Sequence, residues 1–177
     1  MNRLLSVVVV VVSLMVAGSA RAEEAAGVSW TAPAEWTVGE ARPMRIVTYT
    51  VPSAKGDTEA GELAVFYFGK GQGGAVDANI KRWVNQFQRP DGTPAEKDAK
   101  TKQEKLAGFP VTTVDVKGTY NGGPMMGPAT PKPGFRLLGA IVEGPEGAVF
   151  FKLTGPEKTV ASAEKPFRKL LEGIKKK

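Results

Sequence analysis

A helical stripe set in a chain otherwise patterned for strands is the tightest constraint on the fold. Val76, Ile80, Trp83, Val84 and Phe87 recur at the spacing of one helix face, while Asp77, Lys81, Arg82, Asn85 and Gln86 take the other. A second stripe, Phe167, Leu170, Leu171 and Ile174, marks a C-terminal helix, in which Pro166 fits only near the start or at a break between two pieces. Each stripe needs an apolar surface to cover, and the remaining segments offer one only as a sheet. A pure β-sandwich is therefore disfavoured.

The strand patterns are short and regularly punctuated. Val28-Ser29-Trp30 alternates and runs into a turn at Pro33 and Trp36. Arg45 to Val51 alternates, with Ile46, Thr48 and Thr50 opposite Arg45, Val47, Tyr49 and Val51. Glu62 to Phe68 is β-rich and mostly apolar, as in a central strand. A strand is expected at Gln103 to Leu106, after a polar and mobile connection over 93–101, and another from Val111 to Tyr120. Phe135 to Glu143 and Ala148 to Thr154 flank Gly144-Pro145-Glu146-Gly147, a hairpin signal, whereas Asn121 to Gly134 is too rich in Gly and Pro for regular structure. The expectation is one α+β domain, an antiparallel sheet of about six or seven strands covered by two main helices.

The N-terminus reads as a leader. Met1-Asn2-Arg3 supplies a short positive region, Leu4 to Ala17 is almost wholly apolar, and Ala20-Arg21-Ala22 has the small residues of a cleavage site before Glu23. The division expected is a signal peptide over 1–22 and a single domain over 23–177, exported to the periplasm or beyond the cell, with no transmembrane segment in the mature chain. An uncleaved N-terminal anchor is the alternative.

Composition narrows the chemistry. In 177 residues there is no Cys and no His, which removes disulfides, thiolate and imidazole catalysis, and the ordinary zinc, copper and haem ligands. The formal charge of +6 shrinks once Arg3 and Arg21 leave with the leader, and Lys175-Lys176-Lys177 carries much of the rest as the solvated end of a helix. A nearly neutral body attracts polyanions weakly, so no nucleic-acid partner is expected.

The opening Val28-Ser29-Trp30-Thr31-Ala32-Pro33-Ala34-Glu35-Trp36 resembles the first strand and turn of the Mog1/PsbP-like superfamily. Leu106-Ala107-Gly108-Phe109-Pro110-Val111 is similar to the small turn those domains place before a long strand. The stretch Phe150-Phe151-Lys152-Leu153-Thr154-Gly155-Pro156 and the helix after it resemble their C-terminal layout. Asn79-Ile80-Lys81-Arg82-Trp83 together with Lys152-Leu153-Thr154-Gly155-Pro156 is also similar to uncharacterised exported bacterial proteins. The resemblance implies an antiparallel sheet between helices and a binding or assembly role rather than catalysis. It brings no shared catalytic motif, so no functional residue is carried over.

Read residue by residue, the candidate sites are weak as enzymes and better as contacts. Gly69-Lys70-Gly71-Gln72-Gly73-Gly74 precedes a helix but lacks the Gly-Lys-Ser/Thr of a phosphate loop, and a flexible connection explains it better than an anion site. Trp83 lies on the helix stripe as core; Trp36 beside Pro33 is a packing plug with some surface to offer. Met125-Met126 is too thin a ligand set for Cu(I) without His or Cys, and reads instead as loop packing or a contact patch. Asp57, Glu59 and Glu62 match no calcium loop, and none of Ser29, Ser53 and Ser162 sits in a nucleophile motif, although a Ser-Lys dyad needs no nearness in sequence. No catalytic residue, metal or cofactor is expected. Candidate ligand or partner contacts are Trp36, Lys70, Gln72, Arg82, Tyr120, Met125 and Met126. The expected function is an exported non-catalytic binding or assembly domain meeting a protein or envelope component. The alternatives are a small-ligand or anion binder with a cleft near Gly69–Gly74 and, behind it, a carboxylate- or Ser-based hydrolase.

Overall fold

The computed structural model describes residues 22–122 and 130–177; residues 1–21, where the leader is expected, and the Met125-Met126 pair lie outside the described residues. Strands β1 (Ala22–Ala25), β2 (Val28–Thr31), β3 (Thr37–Val38), β4 (Arg45–Val51) and β5 (Gly61–Tyr67) come first, followed by helix α1 (Val76–Val84). Next are β6 (Phe87–Gln88), a short 3-10 turn over Ala95–Asp98, β7 (Lys100–Leu106), β8 (Phe109–Tyr120), β9 (Lys132–Gly144) and β10 (Gly147–Pro156). Helix α2 (Glu157–Glu172) and β11 (Lys175–Lys176) close the chain.

The strand total exceeds the six or seven expected. Eight form one antiparallel sheet in the order β3-β4-β5-β10-β9-β8-β6, with β7 also on β8, and β1-β2-β11 form a separate three-stranded sheet. The extra strands β1, β3, β6 and β11 are two to four residues long, too short to show a pattern. The strand expected at Gln103–Leu106 is present and begins earlier, at Lys100; it pairs with Phe109–Asp115 across the Ala107-Gly108 turn, whose two residues both have positive φ. The polar stretch expected to be mobile instead holds Ala95 fully buried and is tied down by the Arg89–Asp98 ion pair at 2.6 Å. The lysine tail is not a helix end: α2 stops at Glu172, Ile174 is buried, and Lys175 and Lys176 pair with Ser29 and Val28.

Two further boundaries moved. Phe87 sits beyond the end of α1, in β6 opposite Tyr120, but keeps the burial its stripe position implied. Pro166 lies inside α2 with no break around it. Its ring is half-buried and lines a shallow groove with Thr31, Ala32 and Pro33.

The two faces of the large sheet are covered differently. On β10, Val149, Phe151 and Leu153 join Leu63, Val65, Leu138 and Ala140 beneath Val160, Phe167, Leu170 and Leu171 of α2, with Val28 and Trp30 of the small sheet. The intervening Phe150 faces the opposite way and joins Leu137, Ile141 and Val116 under Ile80, Trp83 and Val84 of α1. Trp83 fits closely because Gly139 lies beneath it, where an added Cβ would meet the indole at 2.5 Å. Nine-residue α1 is too short to roof its face, whereas the sixteen residues of α2 reach across theirs. The described residues leave part of the α1 face uncovered.

Candidate functional site

That uncovered part is a cleft of about 480 Å³, floored by Glu62, Ala64, Phe66, Lys152 and Thr154 of β5 and β10. Arg42, Arg45 and Glu59 form one rim, and Gln86, Tyr120, Lys132 and Phe135 the other. Lys152 is there by period-2 alternation. It shares the face of Phe150 and pairs laterally with Ala64 and with Gly139, which Trp83 near the end of α1 covers.

Arg45 reaches the cleft through an irregularity. Simple alternation puts it on the core face with Val47, Tyr49 and Val51, but the register shifts between Arg45 and Val47, so that Arg45 opposes Phe66 and Val47 opposes Val65. The bulge turns Arg45 onto the other face. There its Nη1 donates to Thr48 Oγ1 at 3.1 Å and to Glu62 Oε1 at 2.8 Å, and its guanidinium lies 5.5 Å from the centre of the Phe66 ring. Arg42 Nη1 holds the other Glu62 oxygen at 3.2 Å, and Lys132 pairs with Glu59.

Lys152 differs from these cations. Its Nζ donates to Gln86 Oε1 at 2.6 Å and to Tyr120 Oη at 3.3 Å, both neutral groups, and it forms no ion pair among the described residues. Burial, with Arg45 nearby, pushes its ammonium down to about 8, only partly opposed by Glu62. Tyr120 is held in place by Phe135, whose ring is stacked at 6.1 Å and 5° from parallel, and by Phe87 at 5.1 Å. Burial raises the Tyr120 phenol above its usual value, so it stays protonated at neutral pH. Gln86 is presented by the turn that ends α1, where its carbonyl also accepts from Asn121 N at 2.7 Å.

Of the contacts expected from sequence, Tyr120 is in this cleft. Trp36 is 6% exposed in the α2-side core; its ring is fully used in packing. Lys70 and Gln72 are exposed on a loop that lines no part of the cavity, and its glycines supply the positive φ at positions 69, 71, 73 and 74. Arg82 is exposed on α1 and donates to Asn79 Oδ1 at 2.9 Å. Asn79 in turn ties the helix start to Gly73 O and Ala75 O. The cavity is therefore over β5 and β10 rather than at Gly69–Gly74.

Other chemistry considered from sequence is dispersed. Asp57 accepts from Thr159 N and Oγ1 at 2.9 and 2.7 Å, capping the first turn of α2, while Glu59 and Glu62 bind separate cations. No serine lines the cleft, so Lys152 has no Ser partner there. Among the described residues no cluster of acidic side chains could hold a metal ion, and no helix is long and apolar enough to cross a membrane. Sequence reasoning passed over Lys152 and Arg45. The signal for the first was present, a lone lysine inside Val149-Phe150-Phe151-Lys152-Leu153 of a central strand.

No protein-family model matches the sequence, and no curated protein is similar to it in sequence. Solved structures do match. Cyanobacterial PsbP (CyanoP) from Synechocystis sp. PCC 6803 superposes with a TM-score of 0.55 at 11% identity, over 94% of this chain and 97% of that one. The fold is PsbP-like. A protein of unknown function from Pseudomonas aeruginosa is also similar, with a TM-score of 0.45 and 12% identity over 88% of this chain and 95% of its own. At such identities the likeness concerns the PsbP-like fold alone, and function has to be argued from the cleft.

Proposed function

We propose that this is an exported, non-catalytic binding domain that holds a small ligand in the cleft between Arg45, Lys152 and Tyr120. The observation that carries the reading is the pairing of an open, chemically mixed cavity with a largely buried, unpaired ammonium on its floor. Ammonium groups are costly to bury without a counter-charge, and a strongly perturbed ionisable group in a cleft marks a functional site. Export rests on the leader pattern of residues 1–22. Carboxylate- or serine-based catalysis is disfavoured because, among the described residues, the cleft's carboxylates are each engaged by arginine or lysine and no serine lines it.

A protein or envelope component as direct partner is the second reading, favoured by Val38, Met44 and Ile46, which are 62%, 57% and 42% exposed around the β3–β4 edge. A thermal-shift screen against metabolites and anions separates the two. Compounds that raise the melting temperature of the protein, and lose that effect when Thr154→Trp fills the cleft, support the small-ligand reading. If no compound raises it, that reading fails and the β3–β4 edge takes precedence.

A further inference from the structure

The charges around the cleft can be paired off. Arg42 and Arg45 share Glu62, and Lys132 takes Glu59, so those five groups leave one positive charge in excess, spread over two arginines at the rim. Lys152 adds a second positive charge at the floor, where among the described residues its hydrogen-bond partners are Gln86 and Tyr120. A cation entering this space is repelled, and a neutral ligand leaves the ammonium uncompensated. A single negative charge completes the floor, whereas a dianion brings more charge than the one unpaired group there can meet at contact distance.

The walls indicate the rest of the ligand. Tyr120 and Phe135 are nearly parallel, and Phe66, itself stacked 12° from parallel on Phe68, faces the same cavity. Flat ring surfaces beside a buried charge favour a planar apolar body with a charged end. Resting on the reading of the cleft as a ligand site, we infer that its ligand is a small organic carboxylate, the carboxylate on Lys152 Nζ and a planar apolar body against Phe66, Tyr120 and Phe135. Gln86 and Tyr120 act as positioning residues, holding the ammonium in place through neutral acceptors that do not compete for its charge.

The charged and titratable groups facing Lys152 are Arg42 from the segment before β4 and Arg45 at its start, Glu59 and Glu62 from β5 and the turn before it, Tyr120 from β8, and Lys132 from β9. Between pH 7 and 9.5 the change that matters is Lys152 losing its proton, because Tyr120 is raised above its ordinary value.

The test uses benzoate, benzamide, acetate and inorganic phosphate, with affinities read by NMR titration of the intact protein. Benzoate should bind at least tenfold more tightly than benzamide, which lacks the charge, than acetate, which lacks the ring, and than phosphate. Raising the pH from 7 to 9.5 should weaken benzoate by about sevenfold if binding lifts the Lys152 midpoint from about 8 by one pH unit, and by up to about thirtyfold if only the protonated lysine binds. Lys152→Met should abolish the preference for benzoate over benzamide. Gln86→Glu should do the same with the lysine retained, by supplying an internal carboxylate. Benzoate and benzamide binding equally, both blocked by Thr154→Trp, would overturn the carboxylate inference while leaving the small-ligand reading intact. Phosphate binding as tightly as benzoate would overturn the planar organic ligand. Failure of both benzoate and phosphate to bind would overturn the inference outright.

Discussion

Replacing Lys152 by Met keeps an unbranched side chain, one atom shorter, and removes its charge. In the folded protein the ammonium falls from 10.5 to about 8, chiefly through burial. That drop corresponds to roughly 3 kcal/mol of penalty for keeping the group charged at pH 7. Part of the gain on substitution is offset, since Gln86 and Tyr120 lose their donor, although both border an open cleft where water replaces it. The expected net effect is a stabilisation of about 1–2 kcal/mol at pH 7. The sign of the pH dependence follows. A lysine whose folded value lies below its unfolded one binds fewer protons when folded, so parental stability rises with pH from about 8 towards 10.5. Urea unfolding at pH 7 and at pH 9.5 should show the Met variant ahead at the lower pH and its lead shrinking at the higher. A variant less stable than the parent at pH 7, or a difference that does not change with pH, would refute the claim that Lys152 is kept at a cost to the fold.

Four further outcomes follow from other parts of the molecule. Gly139→Ala puts a methyl group into the Trp83 indole and should cost about 1–3 kcal/mol in urea unfolding, with loss of amide protection in α1. Asp115→Ala removes the two 2.8 Å bonds to Arg136, a buried guanidinium whose other carboxylate partner is the more exposed Glu164, and should cost about 2–4 kcal/mol by the same assay. The Arg168 guanidinium holds Glu104 down to about 2, so its contribution is present above about pH 4.5 and is lost as the pH falls towards 2. Acid titration should show that loss, and Glu104→Gln should remove it. Sequencing the N-terminus of the protein recovered from outside the cytoplasm should give Glu23 as the first residue; a chain that still begins at Met1 would refute cleavage.

The sequence patterns that could be read were those with a periodic side-chain signature. The stripe from Val76 to Val84, the apolar strands around Val65 and Phe151, and the Gly144–Gly147 hairpin all rest on contacts that local spacing encodes. Strands β1 and β11 rest on backbone pairing to β2 over two to four residues, too few to show an alternation, and the polar start of β7 at Lys100 extends the expected strand for the same reason. The cleft was hidden for a different reason. Arg45 reaches it through a one-residue register shift that inverts the face implied by its neighbours, and Lys152 becomes exceptional only because the fold places it on the floor of the cleft. Tyr120 was visible as an aromatic at a strand end, but its role depends on Gln86 and Lys152, which lie 34 and 32 positions away and meet it only in the folded sheet. Glycine-rich loops drew attention because of composition; Gly69–Gly74 turned out to connect a strand to a helix beside the cleft without lining it.

The central claim is that Lys152 is the anchor of a ligand site. NMR titration of the Lys152 side-chain signal against pH, assigned by its loss in Lys152→Met and run with and without benzoate, addresses it directly. The account predicts a midpoint near 8 in the free protein that rises by at least one pH unit when benzoate is present. A midpoint in the ordinary lysine range, or one that saturating benzoate leaves unmoved, would contradict it.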